Sequence, residues 1–475
     1  MSQKSSPFNQ PLDVAFHAAL HHLETLDSYP VGATVSLQEM RDKLQKPLIQ
    51  EGMPADEVLR ELVRDTYGGV LRNPGGRFFA WAIGGVVPEA LGADWLTSTW
   101  DQNAALYATG PAAAVVEEVA GGWLKELLGI AESATFAFVS GCQMAHATCL
   151  ASARHALLEE RGWDVERKGL WGAQAIRVVT SNRHGSIDRA LRLLGMGTDC
   201  VIDLPLNENE QAVPEELARI LANDPGAPTV VLLQAGDLNT GSFDDYRALI
   251  PIAKRFGAWV QIDGAFGLWA GASPQYKHLL AGVGAADSWA TDGHKWLNVP
   301  YDSGYAFVAR PVAHRAAMSH RASYLVHDED ARDQIDYTPE WSRRARGFAT
   351  YAAIRQFGRA GIAELVNGCC DHARALVEGL GQLPGADVAW KPRLNQGLVR
   401  FLNPAAGSNE LDHDCFTDEV IQRVVRGGEA FFMGTSWRGR RAMRVSVLSW
   451  QTSNHDVERA IAAVRKALAA STKAP

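Results

Sequence analysis

Apolar and polar positions recur along this chain in two periods, and the switches between them predict its elements. Residues 13–25 and 55–66 carry Leu, Val and Ala at helical spacing and read as amphipathic helices. An irregular aromatic segment, Asn73-Pro74-Gly75-Gly76-Arg77-Phe78-Phe79-Ala80-Trp81, separates them from the middle of the chain. There, short apolar runs at 134–140, 176–180 and 229–234 are each followed by a helical pattern, at 144–159, 186–194 and 245–256. Further runs at 258–263 and 305–309 read as strands. Strands alternating with helices predict an α/β fold with a mostly parallel sheet covered on both faces. In such sheets ligands sit at the carboxyl ends of the strands.

After about residue 346 the pattern changes. A long helical stretch at 351–380 leads to strands near 397–401 and 444–448 and a last helix at 454–468. The expected organisation is an N-terminal helical segment (1–95), a large domain (96–345) and a smaller C-terminal α+β domain (346–475). Composition narrows the function. The chain has 475 residues, 47% hydrophobic and 21% charged, the balance of a globular protein. Its net charge of -8 counts against a nucleic-acid or anionic-membrane surface. Six cysteines form no CxxC pair, so neither a disulfide framework nor a metal site is expected, and a reducing cytoplasm fits. The first residues lack the apolar core of a signal peptide, and the apolar stretch 78–87 is too short to span a bilayer.

The chemistry centres on Lys295, in the run Thr291-Asp292-Gly293-His294-Lys295-Trp296-Leu297, and on Asp263, which ends the apolar strand at 258–263. A lysine following a histidine is by itself an ordinary surface residue. An aspartate ending a buried strand is costly unless it meets a cation or hydrogen-bond donors. Together they are the two groups that pyridoxal 5'-phosphate (PLP) requires: an amine for the Schiff base and a carboxylate for the pyridine nitrogen. The lysine should be unprotonated to attack the aldehyde, which cationic or apolar neighbours favour. Ala265 is small enough for a ring to lie against it. Gly141, Cys142 and Gln143 open a helix and suit a phosphate, although many strand-to-helix turns carry glycine. Cys142 reads as a packing residue and not a nucleophile. His184 lies in a loop, either stacked on the ring or in solvent. His294 has two open roles, a phosphate or Schiff-base contact or loop packing. Asn239 and Thr240 follow the strand at 229–234 and could reach the phosphate or ring hydroxyl. Tyr324, in a polar stretch that reads as a mobile loop, could donate a proton.

These residues resemble those of the group II PLP-dependent amino-acid decarboxylases, most closely the aromatic-L-amino-acid decarboxylases, from about residue 70 onward. His294-Lys295-Trp296-Leu297 is the most specific run, since Trp after the lysine is typical of the aromatic branch. Asp263, Ala265, His184 and the Gly141–Gln143 turn match the cofactor contacts. Tyr324 matches the loop tyrosine, and Trp341-Ser342-Arg343-Arg344-Ala345-Arg346 resembles the arginine-rich run after it. Phe79 and Trp81 match an aromatic segment lining the substrate pocket. Gly-Cys-Gln replaces Ser-Ala-Ser, Asp-Gly-Ala replaces Asp-Ala-Ala, and Asp292, counted with the cofactor contacts, stands near an expected Asn; these departures indicate a divergent bacterial branch. The resemblance implies fold type I with a seven-stranded sheet, and a homodimer with its active site at the interface, to which the N-terminal segment contributes. It implies decarboxylation of an L-amino acid, aromatic by preference, with Lys295, Asp263, His184 and Tyr324 catalytic. Glutamate, aspartate or 2,4-diaminobutyrate decarboxylation, or a transaminase, aldehyde synthase or retro-aldol reaction, are the alternatives. For a transaminase, Arg444 is the candidate carboxylate ligand.

Overall fold

The computed structural model describes residues 6–320 and 331–471. Its large sheet is built from β1 (Thr135–Val139), β2 (Arg177–Thr180), β3 (Val201–Asp203), β4 (Thr229–Gln234), β5 (Trp259–Asp263), β6 (Ser288–Asp292) and β7 (Gly304–Val308). The strand order is β1-β7-β6-β5-β4-β2-β3, and β7 alone runs against its neighbours. The continuous apolar runs have a simple cause. Side chains alternate along a strand, and both faces here are covered. In β4, Val231 and Leu233 feed one core cluster while Val230 and Leu232 feed the other. The same division holds in β1, with Phe136 and Phe138 on one face and Ala137 and Val139 on the other.

The faces differ in residue size. On one, the helix Cys142–Glu159 presents Ala145, Cys149, Ala153 and Ala156 to a layer containing Ala137, Ala290 and Ala306. Small residues bring this helix close to the strands, and most of its positions are buried. The opposite face carries the larger Phe136, Phe138, Trp289, Tyr305 and Phe307.

A four-stranded antiparallel sheet, in the order β10-β11-β9-β8, follows: β8 (Ala386–Trp390), β9 (Gln396–Phe401), β10 (Met433–Trp437) and β11 (Arg440–Ser446). The helix expected at 351–380 spans Gly347–Gly381 and is interrupted at Gly358, where φ is 58°. The helices Asn9–Glu24 and Leu37–Leu44 bury no residue, and Ala55–Thr66 buries only Asp65.

The loop joining β6 to β7 carries Lys295 and is fixed by Asn298, which is fully buried. Asn298 has φ of 55°, a left-handed conformation that asparagine tolerates better than most residues. Its Oδ1 accepts from Gly85 N–H (2.8 Å) and Trp450 N–H (3.0 Å), and its Nδ2 donates to Trp296 O and Leu448 O (both 2.9 Å). Gly84 lies so close that a Cβ there would meet the Lys295 carbonyl. One amide therefore joins the N-terminal segment, the lysine loop and the chain after β11. No helix among the described residues is long and apolar enough to cross a membrane.

Candidate active site

The ends of β4, β5 and β6 and the loops after β1, β2 and β6 enclose a cavity of about 430 Å³. Lys295, Asp263, His184, Ala265, Gly141, Cys142, Gln143, Asn239, Asp292, His294 and Trp81 all line it. Two expected residues do not. Thr240 is fully buried, its hydroxyl donating to Asp237 Oδ1 at 2.8 Å. Phe79 lies in the core, stacked on Phe432. Trp81 and Ala82 adopt positive φ (54° and 56°), which breaks the extended alternation and turns Trp81, alone of the pair, toward the cavity. Trp296 is likewise a core residue, 1% exposed, so its ring gives no direct argument for an aromatic pocket. Tyr324 lies outside the described residues.

Asp263 is 4% exposed. Its Oδ1 accepts from Ala265 N–H (3.1 Å), and its Oδ2 lies 3.4 Å from His146 Nε2. Burial pushes this carboxyl up, but His146, Lys295 and the Ala265 amide outweigh it and hold the pKa at about 2. Asp292, one strand over, is engaged differently. Its Oδ1 accepts from Cys142 N–H (2.5 Å), and its Oδ2 lies 3.2 Å from Lys295 Nζ. His294 Nε2 is 3.4 Å from Asp292 Oδ1, while Nδ1 accepts from Ser303 N–H (3.2 Å). The carboxylate near the phosphate turn is thus a helix cap and a lysine counter-ion. This corrects one expectation: Lys295 is not depressed. Burial works to lower its pKa, but Asp292 and Asp263 outweigh it and raise it above the ordinary lysine value.

His184 caps the helix Gly185–Leu193, its Nδ1 accepting from Ser186 N–H (3.2 Å), which leaves Nε2 for the cavity. Burial raises the Cys142 thiol well above its usual value, so it stays protonated, as suits a packing residue. His146, Asn182, Gln234, Asp237 and Phe266 were not singled out from sequence. His146 is fully buried against Asp263, and the others line the cavity. Arg444 on β11 does not line the cavity; it is 6% exposed, its Nε finds no acceptor among the described residues, and burial, opposed by Asp237, lowers its pKa to about 10.

These residues fit PLP. An amine and a buried, ionised carboxylate share one cavity, as the aldehyde and pyridine nitrogen require. The 18-residue helix Cys142–Glu159 opens on the same cavity. Its Cys142 N–H is taken by Asp292, while the Gln143 and Met144 N–H groups have no acceptor among the described residues, which suits a phosphate. A Cβ at Gly141 would stand a tight 3.1 Å from the His294 ring.

Residues 38–402 match the family described as pyridoxal-dependent decarboxylase conserved domain. The chain is 25% identical over 449 residues to the aromatic-L-amino-acid decarboxylase of Bacillus atrophaeus, covering 92% of this chain and 90% of that protein. It is 29% identical over 278 residues to the aspartate 1-decarboxylase of Aliivibrio fischeri, covering 56% of this chain and 50% of that one. In fold it is similar to the crystal structure of Oryza sativa TDC with PLP and tryptamine, with a TM-score of 0.91, 22% identity and 99% of each chain covered.

Proposed function

Since this chain belongs to the pyridoxal-dependent decarboxylase family, we infer that the cavity at the end of the large sheet is its active site and that an aromatic L-amino acid is its substrate. The protein is a PLP-dependent amino-acid decarboxylase. When bound, PLP supplies a sink for the electron pair left at Cα as the carboxylate departs. The chain's residues do the rest. Lys295 Nζ would hold the cofactor's aldehyde carbon once it has given up the proton that Asp292 and Asp263 stabilise. Asp263 holds a proton on the ring nitrogen. The Gln143 and Met144 amides take the phosphate. His184, with Nε2 free toward the cavity, would pack against the ring and orient the substrate. Trp81 and Phe266 offer apolar walls for an aromatic side chain. Tyr324 is the proton donor to Cα.

The observation that carries this reading is the Lys295 amine and the Asp263 carboxylate in one cavity at a helix start. It is tested by product analysis of PLP-loaded protein with the common amino acids, L-DOPA, 5-hydroxytryptophan and diaminobutyrate. Equal amounts of CO2 and amine from an aromatic substrate support it; release of aldehyde and ammonia, or keto acid without CO2, overturns it. Arg444 favours a second reading. A buried guanidinium with no ion pair to a carboxylate among the described residues, though it feels Asp237, is suited to an acidic substrate, and the similarity to an aspartate 1-decarboxylase points the same way. Amine from aspartate or glutamate alone would select it.

The functional unit is a homodimer with the active site at its interface. The exposed Phe8, Leu12, Phe16, Leu20, Leu48 and Leu62 support this, since such a surface marks a contact. The working division is an N-terminal segment to residue 95, a PLP-binding domain to 345 and a small domain beyond. Six free cysteines suit the cytoplasm.

A further inference from the structure

Asp263 has a buried partner with no role so far. His146 lies one turn into the helix Cys142–Glu159 and is fully buried. Its Nε2 is 3.4 Å from Asp263 Oδ2, and its Nδ1 is 3.0 Å from Gln261 Nε2. Gln261 lies two residues before Asp263 on β5, so both side chains leave the strand on one face. With the Gln261 amide donating to Nδ1, the imidazole proton belongs on Nε2, toward Asp263. Cys142 Sγ is 3.3 Å from the same nitrogen, but a thiol is a weak partner beside a buried carboxylate. Ala265 N–H serves the other oxygen of Asp263. Each carboxylate oxygen therefore has one protein donor and a lone pair left for a ligand.

We propose that His146, set in one tautomer by Gln261, is a positioning residue: it keeps Asp263 ionised and oriented, so that the cofactor's ring nitrogen keeps its proton. The proposal rests on Asp263 being the carboxylate that meets that nitrogen. Its logic is that of a shared proton. In a buried site, a carboxylate and a pyridinium lower their desolvation cost by transferring the proton and both becoming neutral. A donor on the far side of the carboxylate opposes that transfer, because it stabilises the charged form alone. Lys295 adds positive potential at Asp263, burial lowers the His184 pKa and so favours its neutral form, and Cys142 stays neutral. His146 Nε2 lies 3.4 Å from Asp263 Oδ2, a contact that neither Lys295 nor His184 makes among the described residues, and it fixes the direction in which the oxygens point.

The test uses full-length protein stripped of PLP and reloaded. The readouts are PLP affinity by titration and the pH at which the bound cofactor's visible band titrates. In His146→Leu the ring loses its positive charge, so the lysine-bound nitrogen holds its proton more tightly, and the band should titrate about one unit higher. PLP affinity should fall at least about ten-fold, the scale of one hydrogen bond to a charged group. His146→Gln, which keeps an N–H at similar reach, should restore most of both. Gln261→Leu, which frees the tautomer, should shift the band in the same direction by less. An unchanged titration pH and PLP affinity in His146→Leu overturns the proposal. If that variant does not fold, an unchanged band in Gln261→Leu overturns it. Absence of any visible band in the wild-type protein would instead remove the assignment of Lys295 and Asp263.

Discussion

The carboxyl end of the large sheet and the N-terminal helices carry opposite burdens. At the sheet end, charged groups are buried and paired: Asp263 with His146, and Asp292 with Lys295 and the Cys142 amide. In the first helices apolar groups stay exposed among the described residues; Phe16 is 46% exposed and Leu12 57%. The first region pairs its charges with one another, and their burial makes each pairing matter more. The second presents an apolar face of the kind that marks a contact with another surface. Single substitutions should therefore act sharply at the sheet end and weakly in the helices, where effects accumulate over several positions.

The comparison is tested hardest at Lys295. Lys295→Ala should abolish the visible band of the loaded protein and lower amine formation at least about 10³-fold, the scale for a member of a reacting unit. Absorbance and a product assay check it. Next comes the helical surface. Phe16→Glu with Leu20→Glu should shift the protein toward monomer by about 10²-fold in dissociation constant, as central apolar anchors do, read by sedimentation velocity. A variant that remains fully dimeric would show that the exposed face lies elsewhere than the dimer contact.

A third effect sits on the small-residue face of the sheet. His314 is fully buried, its Nδ1 accepting from Thr135 Oγ1 (2.7 Å) and its Nε2 donating to Tyr337 O (2.9 Å). Burial, helped by Arg332, lowers its pKa from 6.5 to about 3. Below pH 6.5 the unfolded chain binds a proton here that the folded chain refuses, so stability falls as pH drops from 6.5 toward 3, with a slope approaching about 1.4 kcal/mol per unit. Urea unfolding between pH 6.5 and 4.5 should show this slope, and His314→Gln should flatten it. The smallest expected effect is at the cavity mouth. Trp81→Ala should raise KM for an aromatic substrate about three- to ten-fold with kcat little changed, because it removes apolar contact made equally before and during reaction.

Legibility in the sequence follows the same physical divide. β4 was readable because both its faces are covered and every residue is buried. β3 was missed because it is three residues long and only partly buried at the sheet edge. β6 was missed for another reason: Ser288, Thr291 and Asp292 look like loop residues, yet all are buried, with Ser288 Oγ accepting from Trp259 Nε1–H (2.9 Å). Lys295 and Asp263 could be found because strand ends converge in a parallel sheet. His146 could not, since a histidine one turn inside a helix looks like packing until the helix is placed under β5. Phe79 and Thr240 were drawn into the cavity by their neighbours Trp81 and Asn239. A positive φ in one case and an Asp237 cap in the other separate them from it.

The Asn298 amide has a consequence for the order in which the molecule is assembled. Its bonds to Gly85 and Trp450 span 213 and 152 positions. Closing such distant contacts costs chain entropy that nearby pairings do not. As the ribosome extends the chain, the loop bearing Lys295 can complete its Asn298 bonds only after Trp450 has emerged. A product terminated before Leu448 would hold every strand of the large sheet, yet it would lack two of the bonds that fix the lysine's loop.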